Sequence, residues 1–187
     1  MKKIIAILLC LVLLGCSAAV AETAEKESLG VVSVNGTFSI KCRMIESYRI
    51  SITDKDDIGL KANITSEDPT KPVIQLSVAF NDSYTDNGSG LRLNDISEED
   101  MAEIKESFEE QATVYDFLEA ETAHGTKLLI VKGAVGERNF VDFYSIYNSY
   151  EIEVIAYAGA EAENTELTDE QIQTIIDFLS DMDFETV

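Results

Sequence analysis

The fold is decided by residues 126–184, TKLLIVKGAVGERNFVDFYSIYNSYEIEVIAYAGAEAENTELTDEQIQTIIDFLSDMDF. Apolar, β-branched and aromatic residues dominate segments 127–135, 140–147 and 150–158, and short polar turns at 136–139 and 148–149 separate them. Runs of this length, bounded by turn residues, predict three consecutive antiparallel strands. A polar segment then leads to a helix.

The predicted helix spans residues 169–182. Thr168 and Gln171 form a capping box at its start. The apolar positions follow helical spacing and form one stripe: Ile172, Ile175, Ile176, Leu179 and Met182. A stripe of that width is typical of a helix with one buried face, so we expect this helix to be the main cover of the sheet.

The first part of the chain predicts more sheet and a second helix. Further strands are expected at 31–34, 37–44, 48–52, 60–64, 73–80 and 113–122, the first two joined at Asn35 and Gly36. Residues 81–94 form the longest expected loop, and a helix capped by Ser97 and Asp100 follows over 97–111. The expected fold is therefore α+β, an antiparallel sheet of about seven or eight strands covered by two helices.

The order of these elements resembles the PsbP-like family. The resemblance lies in an early meander, a capped helix at 97–111, a Gly-x-Lys hairpin at 125–127, aromatic-rich strands and a closing helix. The family includes the extrinsic PsbP subunit of the oxygen-evolving photosystem, a Ran-binding nuclear import factor and bacterial lipoproteins. It implies a largely non-enzymatic protein that docks to other proteins, and it supplies no catalytic signature for this chain.

The N-terminus has the form of a secretion signal. Lys2 and Lys3 precede an apolar run at 4–14, which is too short to span a bilayer. Residues 13–16, LLGC, resemble a bacterial lipobox, which predicts a signal peptide at 1–15 and a diacylated Cys16. Cleavage after Ala21, giving a secreted protein, is the alternative. Residues 16–30 are then a polar tether and 31–187 a single domain outside the cytoplasmic membrane.

The charge of the chain limits its partners. Fourteen Lys and Arg stand against 35 Asp and Glu, a net charge of −21 at pH 7. A surface of this sign repels phosphate backbones, so we expect no nucleic-acid partner.

The residues for common catalytic sites are scarce. Cys10 leaves with the leader and Cys16 carries the lipid, so Cys42 is the thiol that remains, and His124 is the single histidine. Alternation places Cys42 on the buried face of a strand, and His124 lies in a predicted turn. We therefore predict no catalytic residue, with a hydrolase that uses paired carboxylates as a lesser alternative.

Calcium binding is the stronger alternative. One acidic turn contains Asp54, Asp56 and Asp57, and a second loop contains Asp82 and Asp86. Neither spacing completes an EF-hand, so these are weak candidates for a cation site of another kind. Without calcium, no cofactor is expected. The favoured hypothesis is a non-catalytic, extracytoplasmic lipoprotein that docks to an unidentified protein, through loop 81–94 or through a sheet face that the helices leave open.

Overall fold

The computed structural model describes residues 28–34, 38–43, 45, 47–55, 58–86, 89–180 and 183–186. In the described residues the strands are β1 (Ser28–Val34), β2 (Phe38–Arg43), β3 (Tyr48–Lys55), β4 (Gly59–Ser66), β5 (Val73–Phe80), β6 (Thr85–Asp86), β7 (Ser89–Gly90), β8 (Thr113–Glu121), β9 (Lys127–Val135), β10 (Arg138–Tyr147), β11 (Tyr150–Tyr157) and β12 (Asp183–Thr186). The α-helices are α1 (Glu98–Gln111) and α2 (Asp169–Ser180). None of the helices in these ranges is long and apolar enough to cross a bilayer.

Seven strands form the main sheet. Their order is β3-β4-β5-β11-β10-β9-β8, and every neighbouring pair is antiparallel. Strands β3 to β5 form one half of the sheet. Helix α1 then connects β5 to β8 at the far edge, and β8 to β11 form the other half in sequence order. This confirms the predicted α+β class, with two helices on an antiparallel sheet.

The first hairpin belongs to a separate sheet. Strands β1 and β2 pair with β12 in a three-stranded sheet, where Phe184 lies opposite Ile40. The sequence predicted this hairpin as the start of the main meander, and that prediction is wrong because β12 returns to pair with β2. Strand β1 also begins at Ser28, three residues before the expected strand. The turn residues at 35–37 lie outside the described part of the chain.

One face of the main sheet packs against α2. Alternate residues of β4, β5 and β11 form the core with Ile175, Phe178 and Leu179 of α2. The expected capping box is present, since the Gln171 amide donates to Thr168 Oγ1 (3.2 Å) and the Thr168 amide donates to Gln171 Oε1 (2.9 Å). The helix ends at Ser180, and residue 182 of the predicted stripe lies outside the described residues.

Helix α1 covers only part of the second face. Its residues Met101, Ile104 and Phe108 pack over β8, β9 and β10, and the Phe108 ring meets the Tyr144 ring edge-on at 5.7 Å. Over β3, β4 and β5 the same face carries polar side chains that are exposed or half-exposed: Arg49, Ser51, Thr53, Lys61, Asn63 and Gln75. The second face therefore has a covered half and an open half.

The described residues of segment 81–94, which was predicted as the longest loop, have regular local structure. The segment contains two 3-10 turns, Asp82–Tyr84 and Leu93–Asp95, and part of it forms the hairpin β6–β7. The segment is fixed to the β10–β11 turn, where Asn148 and Ser149 have positive φ angles of 50° and 68°. Ser149 donates to the Tyr84 carbonyl (2.7 Å), and its amide donates to the Leu91 carbonyl (3.2 Å).

Candidate functional site

A cleft of about 360 Å³ lies where α1 ends its cover of the second face. Helix α1 forms one wall, and strands β5, β10 and β11 form the floor. The wall presents Ile104, Ser107, Phe108 and Gln111, and the floor presents Ser77, Asp142, Tyr144, Glu151, Glu153 and Ile155. Three of the floor residues are acids, although the floor of a sheet under a helix is ordinarily apolar.

Strand register places the acids together. Asp142 lies opposite Ile155, and Tyr144 lies opposite Glu153 across the β10–β11 ladder. Asp142 and Glu153 are thus diagonal neighbours on one face of the sheet, a spacing at which long side chains meet. Val141 and Phe143, which flank Asp142, point to the opposite face and join the core under α2.

Asp142 is an ionisable group that is buried in the floor of the cleft. Its side chain is 2% exposed, and its Oδ1 atom accepts no hydrogen bond from any described residue. Burial raises the pKa of Asp142 well above its usual value, and the nearby charge of Glu153 and a hydrogen bond to that carboxylate raise the pKa further. The Phe143 amide, which also bonds to Asp142, opposes this shift. The protonated form of Asp142 is therefore favoured, with its proton donated to Glu153.

Two tyrosines connect the cleft to segment 81–94. Tyr144 donates from its hydroxyl to Glu151 Oε1 at 2.8 Å, and the hydroxyls of Tyr84 and Tyr144 lie 3.3 Å apart. Burial raises the pKa of Tyr144 far above its usual value and raises that of Tyr84 as well. Both phenols remain protonated, so Tyr144 acts as a donor and Glu151 as its acceptor.

The cleft opens onto the uncovered half of the sheet. A smaller groove of about 240 Å³ adjoins it and shares Ser77, Glu153 and Ile155 with it. At the rim, the Arg138 guanidinium stacks 3.8 Å from the centre of the Tyr157 ring. The two depressions form one continuous concave surface, acidic at the end beneath α1 and polar over β4 and β5.

The arrangement suits binding better than glycoside hydrolysis. Retaining glycosidases hold their two carboxyl groups about 5–5.5 Å apart, and inverting enzymes hold them farther apart. Asp142 and Glu153 are instead joined by a direct hydrogen bond. This pair therefore leaves no room between its carboxyl groups for the sugar or the water that such a reaction requires.

The described residues that the sequence suggested for calcium lie outside the cleft. Asp54 is exposed on β3, Asp82 is exposed in a 3-10 turn, and Asp86 is exposed on β6. Asp56 and Asp57 lie outside the described residues. Within the part of the chain that is described, no three His, Cys, Asp or Glu side chains are grouped so that they could hold a metal ion. Calcium binding stays a prediction.

None of the other residues considered from sequence is among the described residues that line the cleft. His124 is exposed in the β8–β9 turn, as predicted. Cys42 lies on β2, and Cys16 precedes the first described residue. Lipidation of Cys16 therefore stays a prediction.

Sequence reasoning missed the acids of the cleft. One signal was present, because Asp142 is the single acid in the apolar and aromatic run 140–147. The predicted two-residue turn at 148–149 already implies the strand register that brings it near Glu153, but the sequence did not show where α1 ends and so where the cleft lies.

Comparison of the sequence with models of known protein families gives no match, and comparison with curated proteins gives none. The resemblance to the PsbP-like family stays a prediction that rests on the order of the elements.

Proposed function

We propose that the protein is a non-catalytic docking module outside the cytoplasmic membrane, held there by lipid on Cys16. Its binding surface is the cleft together with the open half of the sheet. The observation that supports this proposal is the buried carboxyl of Asp142 on the floor of the cleft, whose Oδ1 atom is itself buried and has no hydrogen-bond donor among the described residues.

A purely structural role explains this carboxyl poorly. A buried polar atom without a partner costs about 1–3 kcal/mol, and an apolar residue of similar size would pack in the same place without that cost. Destabilising groups of this kind are concentrated at binding and catalytic sites. The carboxyl spacing does not suit glycoside hydrolysis, and the open sheet half provides a large polar surface beside the cleft. Docking of a partner accounts for both features.

The anchor accounts for where docking takes place. Two acyl chains on Cys16 give stable membrane attachment, where a single chain is marginal. Twelve residue steps separate Cys16 from the start of β1 at Ser28, which allows a reach of at most about 40 Å when fully extended. The partner is therefore expected at the membrane surface.

Affinity capture from native cells tests the docking proposal. The bait is the full chain, compared with Ser77→Arg, which fills the floor shared by the cleft and the groove, and with Glu110→Arg, which changes charge on the exposed side of α1. We expect one protein to be recovered with the wild type and with Glu110→Arg and to be lost with Ser77→Arg. Equal recovery with all three baits would contradict the proposed surface, provided that the variants melt at the same temperature.

The N-terminal peptide of the same sample tests the anchor. A diacylated Cys16 is expected from the lipobox. A peptide that begins at Glu22 instead would identify a secreted protein and remove the membrane from the proposal.

A further inference from the structure

We propose that β3 is a dimerisation edge, where two copies of this chain pair their β3 strands antiparallel about a two-fold axis at Ser51. The two main sheets then form one continuous sheet. Such a dimer goes beyond the docking function proposed above and does not depend on it.

Strand β3 is an open edge of the main sheet. It pairs with β4 on one side, and no described strand pairs with its other side. Its residues 51–55 are all exposed. An edge strand presents a row of backbone N–H and C=O groups that favours pairing with another strand, and β3 is eight residues long. The outer side of β3 can therefore accept a strand from a second molecule.

The opposite edge of the sheet is protected by its charge, whereas β3 is not. Strand β8 carries three acidic residues and no basic one, so two copies of β8 repel each other. Strand β3 carries Arg49 and Lys55 together with Asp54, although the chain as a whole has a net charge of −21. The charge of β3 is therefore mixed, which allows it to pair with an identical strand.

A β-bulge decides which side chains of β3 share a face. Ile52 lies opposite Ala62 and Asp54 lies opposite Lys61, so Thr53 is an extra residue in β3. At this point Thr53 Oγ1 donates to the Lys61 carbonyl (3.2 Å). Because the extra residue shifts the alternation by one, Asp54 and Ile52 point to opposite faces of the sheet.

Self-pairing centred on Ser51 matches both faces of β3. When the bulge is counted as one position, Ile50 lies opposite Ile52 of the second copy, and Arg49 lies opposite Asp54 of the second copy. The isoleucine pair is on the face towards α2, and the charged pair is on the second face. Since the two-fold axis repeats each pair, the interface contains each of these contacts twice.

The second face gains a row of alternating charges. Within one chain Asp54 lies opposite Lys61 of β4, and pairing places Arg49 of the second copy on its other side. Opposite charges on neighbouring strands stabilise a sheet. Arg49 also forms an ion pair with Glu67 of its own chain, but both side chains are largely exposed, so this pair holds Arg49 weakly. The five donors of the guanidinium allow it to bond to both acids.

The other face gains cover for an apolar side chain. Ile52 is 55% exposed, although Ala62, its neighbour across the ladder, is buried. Ile50 is half-buried and packs against the core under α2. In the dimer Ile50 of the second copy lies against Ile52, so the core continues across the axis and apolar surface is removed from water.

The symmetry of the pairing places the two proposed docking surfaces side by side. A two-fold axis that relates antiparallel neighbours within one sheet is perpendicular to that sheet, so both copies present the same face on the same side. The open halves over β3, β4 and β5 then adjoin across the axis. The two polar surfaces therefore become one surface that both copies share.

Disulfide formation on the two-fold axis tests the pairing. Native cells that express Ser51→Cys are treated with the mild oxidant copper–phenanthroline, and the product is analysed on a non-reducing gel and by mass spectrometry. Opposite residues of an antiparallel pair are close enough for a disulfide, so we expect a linked dimer of two copies. Asp116→Cys, at an exposed position of β8, and the wild type, which retains Cys42, are expected to stay monomeric.

Three results of this experiment would overturn the proposal. Ser51→Cys could give no linked dimer, or it could link as much as Asp116→Cys, which would indicate random collision of exposed thiols. Linking of Ser51→Cys to a different protein would show that a second copy of the chain is the wrong occupant of the edge.

Exchange of the two charges tests the register. The variants are built in Glu67→Gln, which removes the competing ion pair within the chain, and the purified full chains are compared by analytical ultracentrifugation in a density-matched non-ionic detergent. Arg49→Glu and Asp54→Arg each place like charges opposite each other twice, so each should weaken the dimer at least about tenfold. The combined variant exchanges the charges and should restore the affinity. A combined variant as weak as the single variants would overturn the proposed pairing.

A matched pair of lysine substitutions separates the two edges of the sheet. Ile52→Lys and Leu118→Lys each place a charge at an exposed apolar position of an edge strand, where folding tolerates it. We expect the dimer to be lost with Ile52→Lys and kept with Leu118→Lys. Loss with both variants would indicate that β3 of one copy pairs with β8 of the next, and a symmetric dimer would then be excluded.

Discussion

The replacement Asp142→Asn removes one ionisable group from the interior and should change how the stability of the folded protein depends on pH. Asparagine keeps the shape of the side chain but cannot ionise. Burial and Glu153 raise the pKa of Asp142 in the folded protein above its usual value of 3.8. A carboxyl with a raised folded-state pKa contributes stability that is fully present below the unfolded pKa and is lost as the pH rises through the folded pKa.

The magnitude follows from the single proton that is involved. The wild type should lose stability relative to Asp142→Asn by up to about 1.4 kcal/mol per pH unit between pH 3.8 and the folded pKa of Asp142. Above that pKa, the difference in the free energy of unfolding between the two proteins no longer changes with pH. Compared with the wild type, the variant is then more stable than it is at pH 3.8.

Urea unfolding, followed by far-UV circular dichroism at several pH values, measures this difference. The comparison of two variants cancels the titration of the many other acids. Asp116→Asn, at an exposed acid on β8, is the matched control for the loss of one carboxyl group. The reasoning is refuted if the difference between Asp142→Asn and the wild type stays constant with pH.

Three further changes test other parts of the structure. Thr168→Ala removes the side-chain acceptor that caps α2 and should reduce the free energy of unfolding by about 1 kcal/mol in urea titrations; no change would mean that the capping box is not formed. Gly90→Ala places a Cβ atom 2.5 Å from the carbonyl carbon of Asn148 and should cost about 1–3 kcal/mol, whereas Ser89→Ala, at the exposed neighbouring position, should cost little. Millimolar calcium should leave the melting temperature unchanged, and a rise of several degrees would instead support the calcium alternative at residues 54–57 or 82–86.

The C-terminal half of the fold was predictable because its local signals agree. In strands β9 to β11, apolar residues alternate with polar ones or form continuous runs between turn residues. Helix α2 has both an N-terminal cap and an apolar stripe. In β11, Ile152 and Val154 face the α2 core while Glu153 faces the cleft, as alternation alone indicates. Where local preference and tertiary placement agree in this way, the structure of a segment can be predicted from its sequence.

The errors arose where tertiary pairing overrides local pattern. Strand β12 is four residues long and alternates acids with Phe184 and Thr186, which gives no strong strand signal. Its pairing with β2 moved the first hairpin into a separate sheet. Segment 81–94 has a loop-like composition, yet bonds to Ser149 and the close approach of Gly90 to the β10–β11 turn fix its structure.

Photo-cross-linking in intact native cells tests the central claim, that the open half of the sheet and the cleft are a docking surface. A photoactivatable residue is placed at Gln75, which is exposed on β5 beside the cleft, or at Glu110, which is exposed on α1. We expect a discrete cross-linked protein from position 75 that is absent from position 110 and is suppressed by Ser77→Arg. Cross-linking that is equal at the two positions, or that is absent from position 75, would contradict the claim.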